Sequence, residues 1–153
     1  MNRFVPGAVS LVVICAAALL NAQTTIADAA DYAKAMKTIG AAMGEANKFI
    51  AAGDTKEAKA KVAAARQAMG GVERFWTEHK KDEAAGLARA SSTKLQALEQ
   101  ALGAITTNVA TSGQFLAMKT AVTEAQGTCG ACHAKYREQD PATKAFTFKA
   151  GVL

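Results

Sequence analysis

Four stretches of the chain place apolar residues at steps of three and four, and each is closed by a polar or glycine-containing break. That spacing is the period of a helix with one apolar face. In the first stretch Tyr32, Met36, Ile39, Met43, Ala46 and Ile50 form one stripe, which predicts a helix over Asp28–Ala51. Gly53-Asp54 breaks it, and Asp54 followed by Glu57 makes a capping pattern for the next helix. The second stretch, Thr55–His79, puts Ala58, Val62, Ala65, Met69, Val72 and Trp76 on one face. Gly70-Gly71 weakens its middle and predicts a kink or a close approach there. Lys80-Lys81-Asp82 reads as a turn. The third stretch, Asp82–Thr106, turns Leu87, Ser91, Leu95, Leu98, Leu102 and Ile105 inward. Thr111 followed by Gln114 repeats the capping pattern and opens the fourth, Ser112–Glu138. Its stripe runs through Phe115, Met118, Val122 and Ala125, then Cys129, Cys132, His133 and Tyr136. After Asp140-Pro141, Phe146 and Phe148 alternate with polar residues, which predicts an extended surface tail. Four such helices joined by short turns predict an all-α fold, an antiparallel up-down-up-down four-helix bundle. Periodicity fits a plain bundle as well as a cofactor-binding one, so the choice falls to the motifs.

The residues before the first helix have a different pattern. Arg3 is a short positive region, Ala8–Leu20 is apolar apart from Ser10, and Asn21-Ala22 offers a small-residue cleavage site, with a second cut after Ala27. This predicts a secretory signal peptide over 1–22 and a single mature domain over 23–153. The apolar run falls short of the roughly 20 residues that a membrane span needs. The expected location is the periplasm, with no membrane attachment after cleavage. A length of 153 residues suits one domain with a real core. The net charge of +5 is spread along the chain without a dense Lys/Arg block, so nucleic acid is not an expected partner. A mild preference for acidic protein partners follows.

Export changes the cysteine arithmetic. Of three cysteines, Cys15 falls in the leader, where Ile14 before it does not suit a lipoprotein cut. The mature domain keeps Cys129 and Cys132, three positions apart, with His133 directly after. In an oxidising compartment a lone cysteine pair suggests a disulfide, but the histidine favours another reading. C-x-x-C-H supplies two thiols for thioethers to the haem vinyl groups and an imidazole for the iron. On a helix all three project from one face, so a flat apolar cofactor would lie against the interior. A dithiol redox site is one alternative. It goes with strands and a βαβ pattern, and with cysteines that open a helix instead of closing one. Zinc is the other alternative, and it lacks a convincing fourth ligand. No constellation of acid, base and nucleophile appears, so no enzyme is expected.

The run Gly127-Thr128-Cys129-Gly130-Ala131-Cys132-His133-Ala134-Lys135-Tyr136-Arg137 resembles the C-terminal signature of class II c-type cytochromes, the cytochrome c′ family and its low-spin relatives. The resemblance covers the helix count, the position of the motif and the aromatic-plus-basic pair after the histidine. It implies one covalent haem c held by Cys129 and Cys132, with His133 as proximal iron ligand. Arg137 takes the family's basic position, one helical turn past His133, where its charge would act on the imidazole or a propionate; a solvated arginine at a helix end is the plainer alternative. Tyr136 reads as packing. The distal residue of this family comes from the first helix: a methionine in low-spin electron carriers, an apolar non-ligand in five-coordinate members that bind nitric oxide or carbon monoxide. Met36 falls near that place, with Met43 as runner-up and core packing as the alternative for both. Met118 is about 22 Å from His133 along their common helix, Met69 faces the core of the second helix, and His79 reads as an exposed turn residue. Many five-coordinate members carry an Arg one turn before the distal residue, where this chain has Tyr32. The partners implied are redox proteins, a small gas ligand in the five-coordinate alternative, and a second copy in a homodimer through the first two helices.

Overall fold

The computed structural model describes residues 25–106 and 110–153. The expected leader and its Cys15 lie outside the described residues. The fold is all-α: α1 (Ala29–Ala52), α2 (Thr55–Glu78), α3 (Asp82–Gly103) and α4 (Ser112–Tyr136) precede a short antiparallel ribbon of β1 (Arg137–Gln139) and β2 (Phe146–Phe148).

Local chemistry sets the helix ends. The Asp28 carboxylate accepts from the backbone N–H groups of Ala30 and Asp31, satisfying donors that a helix start leaves open. Gly53 closes α1 at φ 77°, a left-handed conformation that glycine adopts without steric penalty. Asp54 accepts from the Glu57 N–H, and Thr111 and Gln114 form a reciprocal capping box. The caps at Asp54 and Thr111–Gln114 stand where the sequence predicts them. α2 runs unbroken through Gly70-Gly71; Gly71 is buried, while the space beside Gly70 is open.

Ion pairs between neighbours fix their directions. Glu45–Lys61 at 2.6 Å ties α1 to α2, and Arg66–Glu99 and Glu73–Arg89, both at 2.8 Å, tie α2 to α3. Lys94–Glu124 at 2.9 Å and the Lys135–Glu83 pair tie α3 to α4. Along α2–α3 and α3–α4 the partner number falls as the first rises, so these neighbours run antiparallel. Surface pairs of this kind contribute at most about 1 kcal/mol each; the core holds the helices together. Val62, Ala65, Trp76 and Leu98 are fully buried. α1 packs on α2 and α4 packs on α3, whereas direct contact between α1 and α4 is slight. Hence Tyr32, Met36, Met43 and Ile50 on α1 are half-buried beside a buried Ile39, Ala42 and Ala46.

Three expectations are corrected. Phe115 does not join the buried stripe of α4, and is 56% exposed. α3 already ends at Gly103, and Gln114 donates to the Ala104 carbonyl at 2.8 Å, so α3 gives Phe115 no wall. The buried face of α4 is instead Met118, Ala121, Ala125 and Cys132. Second, α3 stops before Thr106 and α4 before Glu138. Third, the tail is extended but not superficial throughout. Asp140 accepts from the N–H groups of Ala142 and Thr143, turning the chain so that β2 pairs with β1 and Phe148 packs on the core.

Leu98→Ala should therefore lower unfolding stability by about 2–5 kcal/mol, while Leu116→Ala, at a 64% exposed site, should change it by less than about 0.5 kcal/mol. Urea unfolding followed by circular dichroism measures both.

Candidate functional site

The last two turns of α4 carry Cys129, Cys132 and His133. Cys132 is buried, and Cys129 and His133 are half-buried. Both thiols are free. Burial pushes both thiol pKa values up; for Cys132 the neighbouring Cys129 adds to the rise, while for Cys129 the adjoining Ser91 opposes it. Ser91 is a buried polar residue of α3 whose hydroxyl donates to the Leu87 carbonyl at 3.0 Å. A dithiol redox centre depends on a stabilised thiolate. These thiols are held protonated, near the C-terminal end of a helix, where the dipole also disfavours negative charge.

His133 has its pKa lowered, first by burial and then by the Arg137 charge. The imidazole is thus kept neutral, the form that ligates a metal. Among the described residues no group of three His, Cys, Asp or Glu is arranged to hold a metal ion.

An aromatic cluster borders the motif. It brings together both tyrosines, the single tryptophan and two phenylalanines. Tyr32 of α1 lies 4.9 Å from Phe75, 5.4 Å from Trp76 and 4.8 Å from Phe148, centroid to centroid. Trp76 of α2 lies 5.4 Å from Tyr136 of α4 and 5.3 Å from Phe148 of β2. Burial raises the Tyr32 phenol far above its ordinary value; Cys132 adds to the rise, while Trp76 and Arg137 oppose it. The N-terminal end of α1 is thereby within electrostatic reach of the motif. The Trp76 indole N–H is close enough to favour the Tyr32 phenolate, yet Nε1 makes no hydrogen bond.

Arg137 is not on the helix, as its sequence position suggested. It is the C-cap of α4 with φ −114° and ψ 140°, and it starts β1 opposite Phe148. Its guanidinium sits 4.0 Å above the Phe146 ring. Its backbone N–H still donates to the His133 carbonyl one turn back, and its charge reaches His133 and Tyr32.

Met36 sits one turn past Tyr32 on α1, half-buried against the core. That is about 6 Å along the axis from Tyr32, against about 16 Å for Met43, so Met36 is the nearer of the two to the level of the motif. Met69 and Met118 are buried packing residues. His79 is exposed as expected, but its ring lies 4.2 Å from Phe75 and bonds the Phe75 carbonyl at 2.8 Å.

The residues present fit a covalently attached haem. Two free thiols and an imidazole share one helical segment, and aromatic and aliphatic side chains border it. Sequence reasoning placed the motif but missed the cluster around it. The signal available was the position of Tyr32, Trp76 and Phe148 at segment ends, where separate elements meet. Among the described residues no helix is long and apolar enough to cross a membrane. No protein-family model, curated protein or solved structure matches the chain.

Arg137→Ala should remove a stacking contact of about 0.5–1 kcal/mol and speed amide hydrogen exchange in the ribbon. Phe146→Ala should do the same, and the double variant should add little beyond either single change.

Proposed function

We propose that the protein is an exported, periplasmic monohaem c-type cytochrome of the class II kind, an electron carrier and not an enzyme. In this reading the four helices form an up-down-up-down bundle with the haem between them. One observation carries the reading: Cys129, Cys132 and His133 occupy a single helical segment, with both thiols free and Cys132 buried. Cys129 and Cys132 hold the group through thioethers, and His133 binds its iron. Bound there, haem c supplies a one-electron Fe(III)/Fe(II) couple. The chain's part is electrostatic and steric. The partial burial of the motif limits water there, which would favour the less charged ferrous state. Met36 is the distal candidate, and a thioether on iron raises the potential. A redox partner protein meets the exposed edge of the site.

Expression with a c-type maturation system tests the reading. The expected product has covalent haem and a low-spin spectrum with a methionine-to-iron band near the red edge. Cys129→Ala with Cys132→Ala should abolish covalent attachment. Met36→Ala should convert low spin to high spin. A high-spin spectrum in the unaltered protein would replace the carrier with a five-coordinate binder of nitric oxide or carbon monoxide. Absence of covalent haem would return the motif to dithiol chemistry.

A further inference from the structure

The chain has one tryptophan and two tyrosines, and their rings meet beside the motif. Trp76 is fully buried between the two tyrosines, 5.4 Å from each by ring centroids. At that spacing the ring edges approach contact, so an electron can pass from one ring to the next. The tyrosines differ in what surrounds their hydroxyls. Tyr32 is the more enclosed, and the groups that act on its phenol are Cys132, Trp76 and Arg137, none of them a carboxylate. Tyr136 is half-buried at the end of α4, and its hydroxyl is a hydrogen-bond neighbour of Glu83 on α3. The Glu83 side chain is 64% exposed and also bonds Lys135, which keeps the carboxylate ionised and ready to take a proton.

Loss of an electron makes a phenol strongly acidic, so a tyrosine is oxidised where a base stands at its hydroxyl. An indole gives up an electron without that help, because its radical cation is a weaker acid. The Lys135 ammonium, 5.7 Å from the centre of the Tyr136 ring, opposes positive charge there, so the proton has to leave with the electron. Glu83 is the group placed to receive it.

We infer that Trp76, Tyr136 and Glu83 form an electron path between the motif and the surface, which draws an oxidising equivalent out of the site. This inference rests on the haem reading above. The oxidant is a peroxide reaching the haem. Hydrogen peroxide takes up two electrons, and two protons from water, and leaves as two water molecules with its O–O bond broken. Each pass along the path supplies one of those electrons. Trp76 gives an electron toward the motif and is refilled from Tyr136, whose phenolic proton moves to the Glu83 carboxylate. Tyr136 is left as a neutral radical at the surface. A reductant of the ascorbate or thiol class restores it with one electron, and the proton returns from Glu83. Without the path the oxidising equivalent would stay close to Met36, whose thioether is open to oxidation.

The test uses the haem-loaded protein, mixed with hydrogen peroxide and frozen during the reaction for electron paramagnetic resonance. A tyrosyl signal is expected, and it should narrow in protein carrying ring-deuterated tyrosine. With two tyrosines in the chain, two variants assign it. Tyr136→Phe, which keeps the ring that packs on Trp76, should abolish the signal, and Tyr32→Phe should keep it. Glu83→Gln, at the exposed rim, should slow its appearance by about a hundredfold, the loss expected for a positioned proton acceptor. A tyrosyl signal that survives in Tyr136→Phe, its absence from the unaltered loaded protein, or an unchanged rate in Glu83→Gln overturns the inference and leaves the haem reading standing. A protein without covalent haem, seen in its absorption spectrum before peroxide is added, overturns both.

Discussion

The packing around Trp76 is the interaction on which the arrangement of the motif depends. α1 and α4 touch each other only slightly, and each leans on its own neighbour in sequence. What brings their ends together is one indole. Trp76 belongs to α2, and its ring meets Tyr32 of α1, Tyr136 of α4 and Phe148 of β2 within 5.4 Å. Aromatic pairs of this kind contribute about 0.5–1.5 kcal/mol each beyond the area they bury. Several such contacts through one ring outweigh any of the surface ion pairs. The α4 segment with Cys132 and His133 is therefore located by Trp76 of α2 as well as by its packing on α3.

The motif end and the opposite end of α4 are built differently, and the contrast has a physical cause. At the start of α4 its neighbour has already stopped, so Phe115 and Leu116 remain exposed. At its end the ribbon returns the chain onto the helix: the Lys149 N–H bonds the Tyr136 carbonyl at 3.1 Å, and Lys149 Nζ bonds the Ala134 carbonyl at 2.7 Å. Those bonds satisfy carbonyls that a helix C-terminus leaves open. They also seat Phe148 against Tyr32 and Phe75. The tail is thus part of the wall around the motif.

Much of this was legible in the sequence, for identifiable reasons. The helix interiors and their caps are local properties. Asp54 and the Thr111–Gln114 pair act on their own backbone within three residues, so spacing reveals them. The C-x-x-C-H cluster is equally local. What spacing could not reveal is which end of a stripe has a neighbour. Phe115 fits the helical period and is exposed, because the length of α3 decides its burial. Arg137 fits the helical period and is extended, because Phe148 has a place in the cluster and pairs its strand with Arg137. The unpaired Trp76 N–H is less visible still, since it exists only where several elements meet.

Tyr32 gives the first helix a double part in the proposed reading. Its reach to Cys132 sets the level of α1 against the motif. From that level a side chain one turn on moves about 6 Å along the axis, and one three turns on about 16 Å. In that reading Met36 is the better placed of the two methionines for a cofactor at the motif. Residues four apart share a helical face, so the Tyr32 ring beside the motif and a soft sulfur for the iron would come from a single turn of α1. A shift of α1 along α4 would displace both together. The contacts of Tyr32 with Phe75, Trp76 and Phe148 oppose that shift, so the aromatic cluster holds the N-terminal turns of α1 in place beside the motif.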